Sequence, residues 1–256
     1  MTSLTAPRFA WPTLLVLAGA FASCAAGVAV YVAGGPALAA LALCTLGAYA
    51  AFTPLHEAAH RSLARPRWIN EVAGRLASLP LLGPFSAVRY IHLEHHKHTN
   101  ERGADPDHWS GRGPAWALPL RWLTQDLHYY AVYVQRVRPT RERVEVVGTL
   151  AAFAAIAIAL CATGHARAVV VLWLAPARLA VGVLAFAFDW LPHRPHDVPA
   201  RVDRMRATSA VEGRIVYALT LGQSLHLVHH LYPGVPFYRY AAVWRDKVVA
   251  RYRATR

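Results

Sequence analysis

The sequence predicts an all-α integral membrane protein: four transmembrane helices in two hairpins, with a cytoplasmic helical cap that carries clustered histidines. Three observations lead there. Hydrophobic residues make up 55% of the 256 residues and charged residues only 16%, against about 45–50% and 25% in an average soluble domain. Apolar runs with almost no charge are long enough to cross a bilayer. Most of the charge falls in two polar segments, and 13 of the 14 histidines lie in them or, as His56 does, directly at their edge. This composition excludes a disordered chain and disfavours an ordinary soluble enzyme. The net charge of +13 reflects a shortage of acids, 14 against 27 Lys and Arg. No soluble basic domain carries that charge, so no nucleic-acid partner is expected. Cys24, Cys44 and Cys161 lie in apolar runs without a CxxC pair, so neither a disulfide framework nor a thiolate metal site is expected.

No acid, Lys or Arg occurs between Arg8 and Glu57, a run of 48 residues. As one helix it would be about 72 Å long, whereas a bilayer core takes about 20 residues. The run is therefore two spans, about 11–32 and 36–55, turned at Gly34-Gly35-Pro36. A secretory signal peptide competes for the first span, but apolar sequence continues past any cleavage site. A second pair, about 146–164 and 168–188, contains one charge, Arg178, and is joined through His165–Arg167. Between the pairs, Leu76–Phe85 and Ala115–Val134 are rich in Leu, Trp and Tyr and read as interfacial or docked helices. No internal repeat or linker divides the chain, so 1–256 reads as a single domain.

Charge placement orients the spans. Residues 57–145 hold 13 Lys and Arg and the chain after Asp189 another 11, while the hairpin turns hold only Arg167. The positive-inside rule puts both polar segments and both termini in the cytoplasm, as for a multi-pass protein of a bacterial inner membrane. The same basic face attracts anionic headgroups.

The histidines form three clusters. His56 and His60 are four residues apart; His92, His95 and His96 stand at i, i+3, i+4, and His226, His229 and His230 repeat that spacing. On a helix these offsets share a face, and imidazole suits Fe, Zn, Cu and Ni. At this composition one HxxHH is expected about 0.04 times by chance, so two are a signal. Eight histidines exceed the four ligands of one tetrahedral zinc and predict two metals. The site is nearly all nitrogen, unlike the carboxylate-rich di-iron sites of soluble bundles.

His56-Glu57-Ala-Ala-His60 also matches HExxH, in which Glu is the general base of a zinc peptidase. A membrane zinc metalloprotease is thus a distant alternative, and it leaves both HxxHH clusters unexplained. Otherwise Glu57 is a partner to a ligand or a polar residue at the helix exit. A non-catalytic protein with an inert histidine cluster is a further alternative.

HxxxH, HxxHH and HxxHH in this order resemble the membrane fatty acid desaturase superfamily. The flanks add to the resemblance: His92-Leu-Glu-His95-His96-Lys-His98-Thr-Asn100, then Asp105-Pro-Asp107, then His229-His230-Leu-Tyr-Pro233. The resemblance implies two non-haem irons, O2 as oxidant and oxidation of an unactivated C–H in a long apolar lipid, with no catalytic residue beyond the metal centre. It also implies a ninth ligand from an Asn-x-x-x-His pattern at the end of the fourth span. Here that stretch reads Asp189-Trp-Leu-Pro-His193. His193 is carried over as a ligand, and Asp189 replaces the Asn, acting directly, through water or on a ligand. The expected ligands are then His56, His60, His92, His95, His96, His193, His226, His229 and His230. Within the superfamily, Phe188–His196, Leu221–Pro233 and Pro236–Tyr240 are similar to cyanobacterial-type β-carotene hydroxylases, which implies ring hydroxylation of β-carotene. Fatty-acyl desaturation is the alternative.

A ligand histidine commonly donates its other N–H to a carboxylate, and Asp105, Asp107 and Glu94 are the candidates. His98, His108 and His196 lie near the clusters but are not expected as ligands, and His128 and His165 read as structural. Arg178, near the middle of the fourth span, is expected to face the bundle interior. There it meets either a helix carbonyl or a polar end of substrate in its channel. Electrons must come from an external donor, since no haem, flavin or Fe–S motif is present. The basic cytoplasmic face suits an acidic ferredoxin or a similar donor.

Overall fold

The structure is a computed structural model that describes residues 3–255. Helix α1 (Trp11–Val32) turns into α2 (Ala37–Ala59). Gly34 takes φ 74° in that turn, a conformation glycine adopts freely. Pro36 then presets φ at −59° ahead of α2. The two helices cross through small residues. A Cβ on Gly27 would lie 2.6 Å from Cys44 Sγ, and one on Gly47 2.5 Å from Cys24 Sγ. This reciprocal fit lets the backbones approach as small residues do between membrane helices. Helix α1 has the expected bounds. Helix α2 runs four residues past the expected end, so His56 and Glu57 ride within it.

Helix α3 (Arg67–Ser78) is amphipathic. It exposes Trp68, Val72 and Leu76 and buries Asn70, Ala73 and Ala77, the character of an interfacial helix. The helix expected over 76–85 is instead a corner. Helix α3 stops at Ser78, Leu79–Leu81 is a single 3-10 turn, and α4 (Phe85–His98) begins afresh. Gly83-Pro84 explains the break, because proline disfavours helix at the residue before it and is tolerated where a helix starts. The expected helix over 115–134 is present as α5 (Leu118–Leu123) and α6 (Gln125–Arg136), separated at Thr124.

Helix α7 (Arg141–Leu160) begins five residues before the expected span. Helical backbone then continues to His193, but not as one rod. Gly164 has φ 87°, and the rings of Phe153 and Trp173 meet at 5.7 Å between centroids. Twenty residues of straight helix would part them by about 30 Å, so the chain folds back at residues 161–165. The return arm is α8 (Ala166–Val169), a π turn, α9 (Ala175–Leu184), a second π turn over Ala185–Trp190 and a 3-10 turn over Leu191–His193. Among the described residues, three apolar helical stretches are long enough to cross a membrane: Trp11–Val32, Ala37–Ala59 and the folded-back Arg141–His193.

Two cores position the histidines. Leu55, Leu63, Phe85, Leu184 and Phe188 join α2, α4 and the return arm. A second core lies beyond α10 (Arg214–Leu219), around α11 (His226–Leu231). Leu227 and Val228 are fully buried there with Tyr240, Val243 and Trp244. Burying those two positions turns His226, His229 and His230 to the opposite face of α11.

Candidate metal centre

The end of α2 supplies His56 and His60, α4 supplies His92, His95 and His96, the return arm ends in His193, and α11 supplies the last three histidines. Tertiary packing gathers all nine into two groups of four and a link. His56, His60, His92 and His229 have ligand atoms within 4.8 Å of one another, and so do His95, His193, His226 and His230. In the first group Nε2 of His60 lies 2.7 Å from that of His92, and His56 lies 3.1 Å from His229. In the second, Nε2 of His226 lies 3.1 Å from both His193 and His230, with His95 at 3.3 Å from His230. His96 joins the groups, with Nε2 2.7 Å from that of His229 and within ligand range of His230.

Burial first, and repulsion between neighbouring rings second, hold His92, His96, His229 and His230 well below the ordinary imidazole range. Burial and His95 push His226 down to about 3. Neutral imidazole is the form that binds a metal. Nε2 of His229 meets the ring nitrogens of both His56 and His96, and Nε2 of His226 meets those of both His193 and His230. One ring nitrogen makes only one hydrogen bond, so the donor set fits a cation in each group.

His95 differs from the rest. Its Nδ1–H donates to Asp105 Oδ1 at 2.8 Å, with Asp107 Oδ2 at 3.3 Å. Burial opposes its charge, but the two carboxylates outweigh burial and raise its pKa to about 9. Asp105 is fixed in turn by the backbone N–H groups of Asn100 at 2.7 Å and Asp107 at 2.9 Å. Asn100, in left-handed backbone at φ 63°, donates its side-chain amide to the carbonyls of Val198 and Ala207. It therefore locks the loop after α4 to the loop before α10. Asp105 and Asp107, two of the three acids considered as partners of a ligand histidine, thus both meet His95.

Tyr129 Oη lies 2.6 Å from Asp107 Oδ1 and 3.0 Å from Asp189 Oδ2. A phenol has one hydrogen, so it donates to one acid and accepts from the other, which must be protonated. Burial, reinforced by Asp105 and opposed by His95, pushes Asp107 up to about 6. Asp189 thus meets Tyr129 and reaches His95 only through Tyr129 and Asp107. Neither Tyr129 nor Asn100 was assigned a role from sequence. Asn100 stands in the flank of the second histidine cluster, whereas Tyr129 has no signal of its own.

One expectation is corrected, that of Glu94 as a partner to a ligand histidine. Glu94 faces Lys97 and His98 at 3.6 and 3.9 Å and touches none of the nine histidines. Glu57 Oε2 accepts from Thr13 Oγ1 at 2.6 Å and Oε1 accepts from the Phe237 backbone N–H, so it ties α1 to the chain beyond α11. Arg178 is absent from the cavity wall. Its guanidinium donates to both carboxylate oxygens of Asp126 and to the Leu123 carbonyl, which bolts the return arm to the α5–α6 junction. None of His98, His108 and His196 falls in either group of four. His128 stacks on Trp109 at 4.4 Å, and His165 contacts Thr163.

A narrow cavity of about 90 Å³ adjoins the histidines. Phe52 and Leu55 of α2, Ile91 of α4, and Leu184 and Phe188 of the return arm form its apolar wall. His56, His92, His95 and His226, with Asp107, Asp126, Tyr129, Tyr130, Asp189, Gln125 and Gln223, add polar groups to the lining.

Residues 26–255 match the family model described as fatty acid desaturase. The chain belongs to the fatty acid desaturase family. Its curated relatives include an sn-1 oleoyl-lipid 12-desaturase of Synechocystis sp., 28% identical over 73% of this chain and 61% of that protein. A beta-carotene ketolase of Paracoccus sp. (strain PC1) is 34% identical over 81% of this chain and 79% of that protein. A beta-carotene ketolase of Haematococcus lacustris is 26% identical over 73% and 56%. The chain spans about three fifths of the length of the desaturases it matches. The superfamily expectation therefore stands, while the ring-hydroxylase branch rests on motif resemblance alone.

Proposed function

We propose that this fatty acid desaturase family member is a membrane-embedded di-iron oxygenase that oxidises a ring methylene of a carotenoid to an alcohol or ketone. The observation that carries this reading is the pair of four-histidine groups beside a narrow apolar cavity. The ketolase relative, similar over most of its own length, supports a carotenoid. The motif resemblance supports an alcohol product and the ketolase names a ketone. Acyl-lipid desaturation is the second reading, supported by the oleoyl-lipid desaturase relatives.

In this account His56, His60, His92 and His229 hold one iron and His95, His193, His226 and His230 the other, with His96 between them. When bound, the irons supply O2 activation and the oxidising power for an unactivated C–H bond. The chain supplies position. Asp105 keeps the proton of His95 on Nδ1 and leaves Nε2 free as a ligand. Tyr129, Asp107 and Asp189 hold a shared proton at the cavity lining. Phe52, Leu55, Ile91, Leu184 and Phe188 orient the apolar substrate and exclude water. Helices α1, α2, α7 and the return arm make four membrane passes, with both termini and the histidines on the cytoplasmic side. Electrons come from an acidic donor such as a ferredoxin on the basic face, and electron transfer slows as salt rises. A rate insensitive to ionic strength contradicts that docking.

Expression in a host that accumulates β-carotene tests the reading. Pigments should gain ring oxygen, resolved by chromatography and mass, and His95→Ala should abolish the gain. Unchanged pigments with new fatty-acyl double bonds would establish the second reading instead.

A further inference from the structure

The cavity contains polar groups that no ligand role explains. Gln125 is 1% exposed and Gln223 is 2% exposed, yet both line a mainly apolar cavity. Gln125 lies within reach of the Tyr129 phenol and Gln223 within reach of the Tyr240 phenol, but neither amide atom of Gln125, nor the Gln223 amide nitrogen, makes a well-formed hydrogen bond. Buried amides are nearly always paired. Two left open on one cavity point to a partner that arrives with the ligand.

Resting on the proposed carotenoid reading, we propose that Gln125 and Gln223 recognise a hydrogen-bonding oxygen on the reacting end of the substrate. Placement favours that end. Gln223 opens the 3-10 turn that leads directly into His226 of α11. Gln125 stands one helical turn before Tyr129 on α6. Both amides line the same cavity as His56, His92, His95 and His226. A saturated acyl chain reacting in mid-chain offers no hydrogen-bond partner there, and its ester oxygens lie many carbons away. A carotenoid ring with a hydroxyl or carbonyl offers one beside the reacting carbon. An unoxygenated ring packed against the amides leaves them unpaired, and a site built for hydrogen bonding discriminates against such an analogue.

The experiment measures binding of β-carotene and of a 3-hydroxylated β-ring carotenoid to the full-length protein in detergent, by the shift of the carotenoid absorption band. Turnover of both pigments is measured in parallel. The wild type should favour the hydroxylated pigment by about 5–100-fold in Kd, the range set by one unpaired buried polar group. Gln125→Leu and Gln223→Leu should each cut that ratio by about fivefold or more, whatever the absolute activity. Gln125→Asn, which keeps an amide, should retain more of the ratio than the leucine variant. Equal affinity of the wild type for both pigments overturns the inference and leaves the proposed function standing. An unchanged ratio in both leucine variants also overturns it. A wild type that binds and oxidises neither pigment overturns the carotenoid reading itself. The wild-type ratio needs no variant, so a misfolded substitution does not shield the inference.

Discussion

His95 and Asp105 form a buried pair in which Nδ1–H donates to Oδ1 over 2.8 Å, with both side chains 1% exposed. The carboxylate fixes both the ring's orientation and which nitrogen carries the proton, and it leaves Nε2 facing His230. Asp105 is itself held by two backbone amides, so it cannot follow the ring if the pair is weakened. Asp105→Asn should therefore lower metal affinity by about 10–100-fold, read by competition with a chromogenic chelator. Affinity equal to wild type would show that the pair only packs the core.

Removal of metal should soften the cap. Buried imidazoles from α2, α4, the return arm and α11 meet nitrogen to nitrogen, so a cation in each group would tie three parts of the chain together, and the two cations would tie four. Metal at a free concentration of 100 Kd should stabilise the fold by about 2.7 kcal/mol. Scanning fluorimetry should show a lower Tm after chelation and recovery on adding ferrous iron. An unchanged Tm contradicts the bridging role.

Arg178 and Asp126 should behave as a structural clamp. The pair is two-pronged and partly desolvated, with side-chain exposures of 32% and 10%. Arg178→Met should cost about 1–3 kcal/mol, between the values for exposed and buried pairs. The ratio of turnover for two lipid substrates should stay as in the wild type. A changed ratio at unchanged stability would restore a substrate role for Arg178.

Glu57 discriminates against peptidase chemistry. Its carboxylate is occupied by Thr13 and by the Phe237 backbone N–H. Glu57→Gln should weaken these bonds at a cost of about 1–3 kcal/mol, seen as a lower Tm, while bound metal stays at the wild-type level. Loss of all activity with stability unchanged would return Glu57 to the role of a base.

The histidines were legible because i, i+3, i+4 spacing becomes a single face on any helix, whatever surrounds it. The turn at Gly34 and the reversal near Gly164 were legible because apolar runs had outgrown a bilayer. The corner at residues 79–84 was misread because apolar composition outweighed Gly83-Pro84. Glu94 was misassigned because closeness in sequence says nothing of face: it adjoins His95 yet turns toward Lys97 and His98. Tyr129 was invisible because its partners lie 22 and 60 residues away. Arg178 was expected to face inward, but its carboxylate came from a segment read only as an interfacial helix.

The central claim is a centre of two metals held by nine histidines, and the amount of metal per chain tests it most directly. Protein purified from iron-supplemented cells should carry close to two irons per chain by elemental mass spectrometry. His229→Ala should deplete the first site and His193→Ala the second, each toward one iron per chain. A single metal per chain in the wild type, or zinc in place of iron, would contradict the account.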